Sequence, residues 1–273
     1  MAEGLPTTQF EFPLVDDYDV LDSTFFRYHA LNELPTPDRV RCSQGVSFSS
    51  ISKRFLRPSV IFFRDLGLAV KYGHHVSVAE AHCLLFLRKH CPTVPVPEIF
   101  AWRRNRRQTF LYMELIDGIQ PQAGGTQAYI DSLERQLTGL VQTLQSIPQT
   151  LVSTTPFVGH VNGGPLRSWV FINSAKPVAG PWTDATAFHD WLATDYGNGV
   201  VVPGPQEIEA KPLSTSAEQR KKLADDLPIV LTHGDLRLCN LILDHTVQDD
   251  GLPRIRAVVD WAQADYFTLR AAK

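Results

Sequence analysis

Ile229-Val-Leu-Thr-His-Gly-Asp-Leu-Arg-Leu-Cys-Asn-Leu-Ile-Leu-Asp244 is the most informative stretch of this chain. An apolar run leads into His233 and Asp235, and Asn240 follows five positions after Asp235, directly before a second apolar run. A third apolar run further along ends in Asp260. Short apolar runs bounded by glycine and polar residues are typical of buried strands. The pattern therefore predicts three strands whose ends carry these four polar residues.

The residue types in this set suit the transfer of a phosphoryl group to a hydroxyl. An attacking hydroxyl needs a group that aligns it and accepts its proton, and Asp235 at a strand-loop junction can do both. Magnesium prefers hard oxygen ligands, which the amide of Asn240 and the carboxylate of Asp260 offer. The spacing D-x-x-x-x-N and an aspartate at a strand end both occur in kinase active sites. Any one of these residues alone would be a turn or cap residue, and only the ordered set favours catalysis.

His-Gly-Asp in place of the kinase triplet His-Arg-Asp, and Val-Asp-Trp in place of Asp-Phe-Gly, resemble the aminoglycoside phosphotransferase and choline kinase family. The resemblance implies that Asp235 is the catalytic base, that His233 braces the loop, and that Asn240 and Asp260 hold Mg²⁺. It spans residues 40–266 and is closest to fungal-type members, in which V-K-Y/L-G, S-x-x-E-A and P-V-P occur in this order.

The first half of the chain carries the same resemblance. Leu68-Ala-Val-Lys71 is similar to the strand whose lysine binds ATP phosphates, and Glu80 lies in the next predicted helix, where a lysine-pairing glutamate belongs. From the residues alone, Lys71 could equally be an exposed strand-end lysine. Ser77 and Glu80 also have the spacing of a capping box, a role that is compatible with ion pairing.

Phe110–Ile116 is similar to the run that enters the hinge between two lobes. The resemblance implies that backbone groups near Glu114, Leu115 and Ile116 bind adenine, and that ATP and Mg²⁺ are the cofactors. It also implies an α+β, two-lobed protein-kinase-like fold. We expect residues 1–116 to form a small antiparallel-sheet N-lobe with one helix and an N-terminal extension, and residues 117–273 to form a mainly helical, truncated C-lobe.

Hydrophobic periodicity predicts the other elements. A first helix is expected over Tyr18–Leu34, closed by Pro35 and Pro37, and a long one over Tyr129–Ile147, ended by Pro148. Further helices are expected over residues 77–90, 185–194 and 214–225. Strands are expected at Val40 and over residues 47–51, 59–63, 68–72, 99–102 and 109–115. Arg103–Arg107 is interpreted as a solvated hairpin turn.

The bulk composition excludes several classes of protein. The 273 residues have a formal net charge of -3, which gives no indication of a nucleic-acid partner. The four cysteines include no C-x-x-C pair, and neither a signal peptide nor a membrane-spanning run is evident. We expect a cytoplasmic protein with a small-molecule hydroxyl substrate and no membrane partner. The sequence does not indicate the oligomeric state.

Two departures from the family leave a second hypothesis open. The candidate phosphate-covering loop, Cys42–Ser47, has one glycine, and the chain ends thirteen residues after Asp260, where family members usually continue. The first hypothesis is an ATP-dependent small-molecule kinase, in which Asp265 and Tyr266 could face a cationic acceptor. The alternative is a catalytically inactive or repurposed kinase-like protein that binds a nucleotide, metabolite or partner. A protein kinase is less favoured, because no A-P-E segment follows Asp260.

Overall fold

A computed structural model describes residues 9–43, 58–121, 124–168, 178–195, 214–215, 217–245 and 252–268. The predicted strand over residues 47–51 and most of the candidate phosphate-covering loop lie outside these residues. The helices are α1 (Thr24–Tyr28), α2 (Pro37–Cys42), α3 (Val78–His90), α4 (Gln127–Gln145), α5 (Ala185–Ala193) and α6 (Ala217–Arg220). The strands are β1 (Tyr18–Asp19), β2 (Ser59–Phe63), β3 (Leu68–Gly73), β4 (Ile99–Asn105), β5 (Gln108–Glu114), β6 (Gly159–His160), β7 (Thr194–Asp195), β8 (Ser214–Thr215), β9 (Ile229–Thr232), β10 (Leu241–Leu243), β11 (Ile255–Val258) and β12 (Asp265–Thr268).

The chain divides into two compact units. The first unit comprises Phe12–Leu140 and Leu236–Ala262, and the second comprises Met1–Glu11, Val141–Asp235 and Gln263–Lys273. The predicted division into a nucleotide-binding lobe and a substrate lobe at residue 116 is a functional one and stays a prediction.

The first unit is built on a five-stranded sheet with the order β1-β4-β5-β3-β2, antiparallel at every pairing. Successive side chains of a strand point to opposite faces. Leu68 and Val70 of β3 accordingly join the apolar cluster that also contains Phe110 and Tyr112 of β5, all fully buried. Lys71 lies on the opposite face of β3 and contacts α3. This alternation is what presents one buried lysine on an otherwise apolar strand.

Helix α3 begins and ends as the sequence predicts. The Ser77 hydroxyl accepts a hydrogen bond from the backbone N–H of Ala79 at 3.1 Å, which satisfies one free N–H of the first turn. The capping-box prediction is wrong in its second half. The Glu80 carboxylate binds Lys71 and the backbone N–H of Trp261 instead of the backbone of Ser77. Tertiary contacts have therefore taken over the side chain that the local motif would use.

The predicted helix over Tyr18–Leu34 is wrong. Tyr18–Asp19 pairs with β4 at the sheet edge, and only the five residues of α1 are α-helical. Of the expected apolar stripe, Phe25 is buried whereas Tyr28 is 83% exposed, so the spacing did not mark a core face. The edge of β4 offers backbone hydrogen bonds that an isolated short helix cannot match.

The strand predicted at Val40 is also wrong, because Val40 lies in α2. Pro37 occupies the first turn of α2, and the Thr36 hydroxyl accepts a hydrogen bond from the backbone N–H of Arg39 at 3.3 Å. Proline favours the first helical position, where its missing N–H has no intrahelical partner to lose. The proline interpreted as the end of one helix is therefore the start of another.

The hairpin between β4 and β5 is confirmed, but its turn is shorter than expected. Only Arg106 and Arg107 form the loop, with φ of 51° and 61°. Arg103 pairs with Asp19, and Arg104 lies 3.0 Å from Asp16. The acidic N-terminal segment thus neutralises half of the arginine run and holds the edge strand in place.

The second unit contains a three-stranded antiparallel sheet, with β12 between β6 and β9. Helix α5 is confirmed close to its predicted bounds, and the Asp184 carboxylate caps it by accepting from the backbone N–H of Ala187 at 2.8 Å. The helix predicted over residues 214–225 is mostly wrong, since α6 covers only Ala217–Arg220. Among the described helices, none is long and apolar enough to cross a membrane.

Candidate active site

Lys71 is the centre of a buried charge cluster in the first unit. Its Nζ lies 2.9 Å from Oε1 and 2.7 Å from Oε2 of Glu80, and 2.6 Å from Oδ1 of Asp260. Lys71 and Glu80 are buried, whereas the side chain of Asp260 is 39% exposed. One ammonium thus bridges two carboxylates, and only one of those carboxylates reaches the surface.

Charge balance sets the protonation of this cluster. Burial alone lowers the pKa of Lys71, but the adjacent Glu80 and Asp260 carboxylates outweigh it and hold the pKa above its ordinary value. Burial raises the pKa of Glu80, against the Lys71 ammonium and the backbone N–H of Trp261, which both favour the carboxylate. Lys71 is therefore a permanent cation, held at a defined point by two acceptors.

Asn240 and Asp260 come together at one end of the two-stranded β10–β11 ribbon. Leu241 pairs with Val258, and the backbone N–H of Val259 donates to the carbonyl of Asn240 at 2.9 Å. Asp260 follows at once, with a left-handed φ of 67°. Left-handed backbone is uncommon outside glycine, although aspartate tolerates it better than most residues. The antiparallel register is what brings two residues twenty positions apart to the same place.

These two side chains fit a magnesium ion. Both offer a hard oxygen, and Mg²⁺ typically takes one or two protein ligands and completes its shell with water and substrate phosphates. The exposure of Asp260 leaves a path for a soluble ion, while Asn240 is buried and fixed by its backbone bonds. Within the described residues, no group of three or more His, Cys, Asp or Glu side chains could hold a metal. Asn240 and Asp260 stay the predicted metal ligands.

The predicted hinge follows the end of β5. The backbone N–H of Glu114 donates to the carbonyl of Glu98 at 2.8 Å, and that of Leu115 donates to the carbonyl of Gly67 at 2.9 Å. The N–H of Ile116 has no hydrogen-bond partner among the described residues. Of the three predicted residues, Ile116 is thus the one with a donor available to a ligand.

The His-Gly-Asp triplet lies in the second unit, directly after β9. His233 is buried, and its Nδ1 accepts a hydrogen bond from the backbone N–H of Asp235 at 3.2 Å. Gly234 has a φ of 77°, and a Cβ at this position would lie 2.1 Å from the carbonyl oxygen of Gln263. Only glycine allows this approach without strain. The bracing contact expected of His233 is present in the geometry, while the catalytic roles of both residues stay predictions.

The structure corrects one idea about the acceptor. Asp265 and Tyr266 are fully buried, so neither offers a surface to a soluble cation. The sequence pattern also missed two contacts. The pairing of Lys71 with Asp260 spans 189 positions, and no local spacing could reveal it. The carbonyl of Gln263 against Gly234 is likewise visible only in three dimensions, although a glycine inside the triplet was a hint.

Comparison with known proteins gives one strong match. A model of the phosphotransferase enzyme family matches residues 75–268, which is more than two thirds of the chain. The match includes Glu80, Asp235, Asn240 and Asp260, whereas Lys71 precedes it. No curated protein matches the chain.

Several solved structures are similar at low identity. The apo form of a thermostable mutant of aminoglycoside phosphotransferase APH(4)-Ia has 14% identity and a TM-score of 0.48, with 82% of this chain and 69% of that chain covered. A variant of that enzyme in a ternary complex with AMP-PNP and hygromycin B has 13% identity and a TM-score of 0.43, with coverage of 73% and 60%. An aminoglycoside-3'-phosphotransferase of type VIII has 17% identity and a TM-score of 0.46, with coverage of 82% and 73%. These scores are low, and the family assignment rests on the family model.

The small antiparallel sheet with a single helix between its third and fourth strands agrees with the α+β, protein-kinase-like fold predicted for this chain. That fold class is confirmed. Because the family model covers most of the described site, the chain belongs to the phosphotransferase enzyme family.

Proposed function

We propose that this chain is an ATP- and Mg²⁺-dependent phosphotransferase that moves the γ-phosphate of ATP to a hydroxyl of a small molecule. The observation that carries the proposal is the cluster in which the Lys71 ammonium lies 2.6 to 2.9 Å from carboxylate oxygens of both Glu80 and Asp260. Burying an ammonium together with a carboxylate is a poor way to stabilise a fold. It is a good way to fix a point charge beside a metal ligand.

Asp235 is proposed as the base. Its carboxylate aligns the acceptor hydroxyl and takes its proton as the hydroxyl oxygen bonds to the γ-phosphorus. The bond from that phosphorus to the bridging oxygen of ADP breaks in the same displacement, and ADP leaves. His233 holds the backbone of Asp235 by its hydrogen bond of 3.2 Å, so the base keeps one orientation.

Lys71, Asn240 and Asp260 are proposed to bind the phosphates. The Lys71 ammonium contacts phosphate oxygens, and Glu80 keeps it from moving to the surface. Asn240 and Asp260 hold Mg²⁺, which supplies charge neutralisation at the phosphates when bound. For the adenine, the N–H of Ile116 is proposed as donor and the carbonyls near Glu114 as acceptors, because the N–H groups of Glu114 and Leu115 are already engaged.

The proposal is tested by separating binding from transfer. Nucleotide binding is measured by calorimetric titration with ATP and Mg²⁺, and transfer by ADP release against a panel of hydroxylated and cationic small molecules. Asp235→Ala is expected to lose about 10²- to 10⁴-fold in kcat, the usual contribution of general base catalysis, with unchanged nucleotide affinity. Asp260→Asn is expected to lose the Mg²⁺-dependent part of that affinity.

The exposed Asp226, which precedes β9 in the second unit, provides a matched control. Asp226→Asn is expected to change neither binding nor transfer. Equal kcat in Asp235→Ala and the unsubstituted protein would refute the assignment of the base. Failure of millimolar ATP with Mg²⁺ to bind at all would favour the alternative, a repurposed kinase-like protein.

A further inference from the structure

Asp265 is a buried carboxyl that the proposed chemistry does not use. It lies in β12 with no exposed surface, and its Oδ2 accepts hydrogen bonds from the backbone N–H groups of Arg167 and Ser168, at 2.9 Å and 2.8 Å. Its Oδ1 is buried and has no hydrogen-bond partner among the described residues. Leaving a buried polar atom unsatisfied is costly, which makes the residue unusual in a packed sheet.

The backbone of Asp265 sits at the junction that supports the His-Gly-Asp triplet. In the antiparallel register it pairs with His160 of β6 and with Thr232 of β9, and the Thr232 hydroxyl donates to its carbonyl at 3.3 Å. Thr232 directly precedes His233. Two residues before Asp265, the carbonyl oxygen of Gln263 lies where a Cβ on Gly234 would come within 2.1 Å of it. One residue therefore links β6, the end of β9 and the segment at residues 167–168.

We infer that Asp265 is a positioning residue for the His233–Asp235 loop, acting by clamping the segment at residues 167–168 to the strand that precedes the base. This inference rests on the proposed function of Asp235. The clamp is adjustable, because a carboxylate binds N–H groups more strongly than the neutral acid does. Ionisation of Asp265 therefore tightens it.

The surroundings of Asp265 place the pKa of its carboxyl in the neutral range. Burial raises the pKa of Asp265 to about 7, against the two N–H bonds and the charge of Arg167, which favour the carboxylate. The titratable or charged groups on the elements that contact β12 are His160 on β6, Arg167 on the clamped segment, Tyr266 on the same strand, and His189 on α5, whose Nε2 lies 2.8 Å from the Thr268 hydroxyl of β12. β9 contributes none. At mildly acidic pH the Asp265 carboxyl is neutral, and at mildly alkaline pH it is a carboxylate.

The variant Asp265→Asn distinguishes a clamp that depends on ionisation from a side chain that only fills space. The amide keeps an oxygen for the two N–H bonds but does not titrate, so the variant should behave at every pH as the unsubstituted protein does at acidic pH. Above pH 7 the unsubstituted protein is expected to exceed the variant in kcat by about tenfold, within the 10²-fold that a 1 Å misplacement can cost. KM for ATP should be the same in both. Asp265→Leu, which removes both hydrogen bonds, should lower kcat at all pH values.

A second measurement does not depend on activity. Hydrogen exchange, corrected for intrinsic rates, is followed at residues 166–168 and 231–235 in both proteins from pH 5.5 to 8.5. Protection that rises with pH in the unsubstituted protein and stays constant in Asp265→Asn supports the clamp, even if no acceptor is ever phosphorylated and the proposed function fails. Identical exchange in the two proteins overturns the clamp. Different exchange with identical kcat profiles shows a titrating residue that does not position the base, and also overturns it.

Discussion

Gly234→Ala tests how tightly the His-Gly-Asp turn is built. A Cβ at Gly234 would lie 2.1 Å from the carbonyl oxygen and 2.9 Å from the Cβ of Gln263. Ordinary carbon–oxygen contacts are about 3.3–3.6 Å, so one backbone must move by about 1.2 Å. The left-handed conformation alone costs a non-glycine residue about 1–2 kcal/mol, and forced overpacking adds about 1–3 kcal/mol. The expected loss in the free energy of unfolding is therefore about 2–5 kcal/mol.

Gly163 provides the matched control. It has the same φ of 77° as Gly234, but a Cβ there meets no heavy atom within 4 Å. The free energy of unfolding of Gly163→Ala should therefore fall by only about 1–2 kcal/mol, because backbone strain is the single cost there. Urea unfolding of the two variants gives the difference directly, and ADP release shows whether the base has moved. Equal destabilisation, or full kcat in Gly234→Ala, would mean that the approach to Gln263 does not shape the turn.

Three other outcomes are expected. Glu80→Gln leaves Asp260 as the only carboxylate beside Lys71. The free energy of unfolding should fall by about 2 kcal/mol, which is less than the about 3–5 kcal/mol lost when a buried ion pair is fully broken. The substitution should also weaken ATP binding in a titration, and unchanged affinity would contradict the phosphate-binding role. Arg106→Asn combined with Arg107→Gly should stabilise the hairpin by about 1 kcal/mol, because both positions have positive φ; a lower Tm in thermal unfolding would argue against it. The folded protein holds the proton of Asp265 up to about pH 7, whereas the unfolded chain releases it near the ordinary 3.8. The free energy of unfolding, relative to that of Asp265→Asn, should therefore fall as pH rises between these values, by about 1.4 kcal/mol per pH unit. If urea unfolding gives the same difference between the two proteins at pH 5 and at pH 8, the raised pKa is contradicted.

The sequence predicted the elements whose signals are local. Strands β2 to β5 and helices α3 and α4 lie close to their expected bounds, because periodicity, a serine cap and terminating prolines or glycines act over a few residues. The failures came where tertiary contacts compete with local preference. Tyr18–Asp19 joins a sheet edge rather than a helix, and β12 was missed because its burial depends on strands distant in sequence.

The sequence by itself determined the residue types of the candidate site, since base, metal ligands, lysine and glutamate each lie in a recognisable local pattern. It could not show that Lys71 binds Asp260 as well as Glu80, nor that Asp265 is buried with an unsatisfied oxygen. Both facts depend on which strands pair and in which register. Register is set by the packing of whole faces, and so only the tertiary structure decided which of these charged groups would meet and which carboxyl oxygen would lack a hydrogen-bond partner among the described residues.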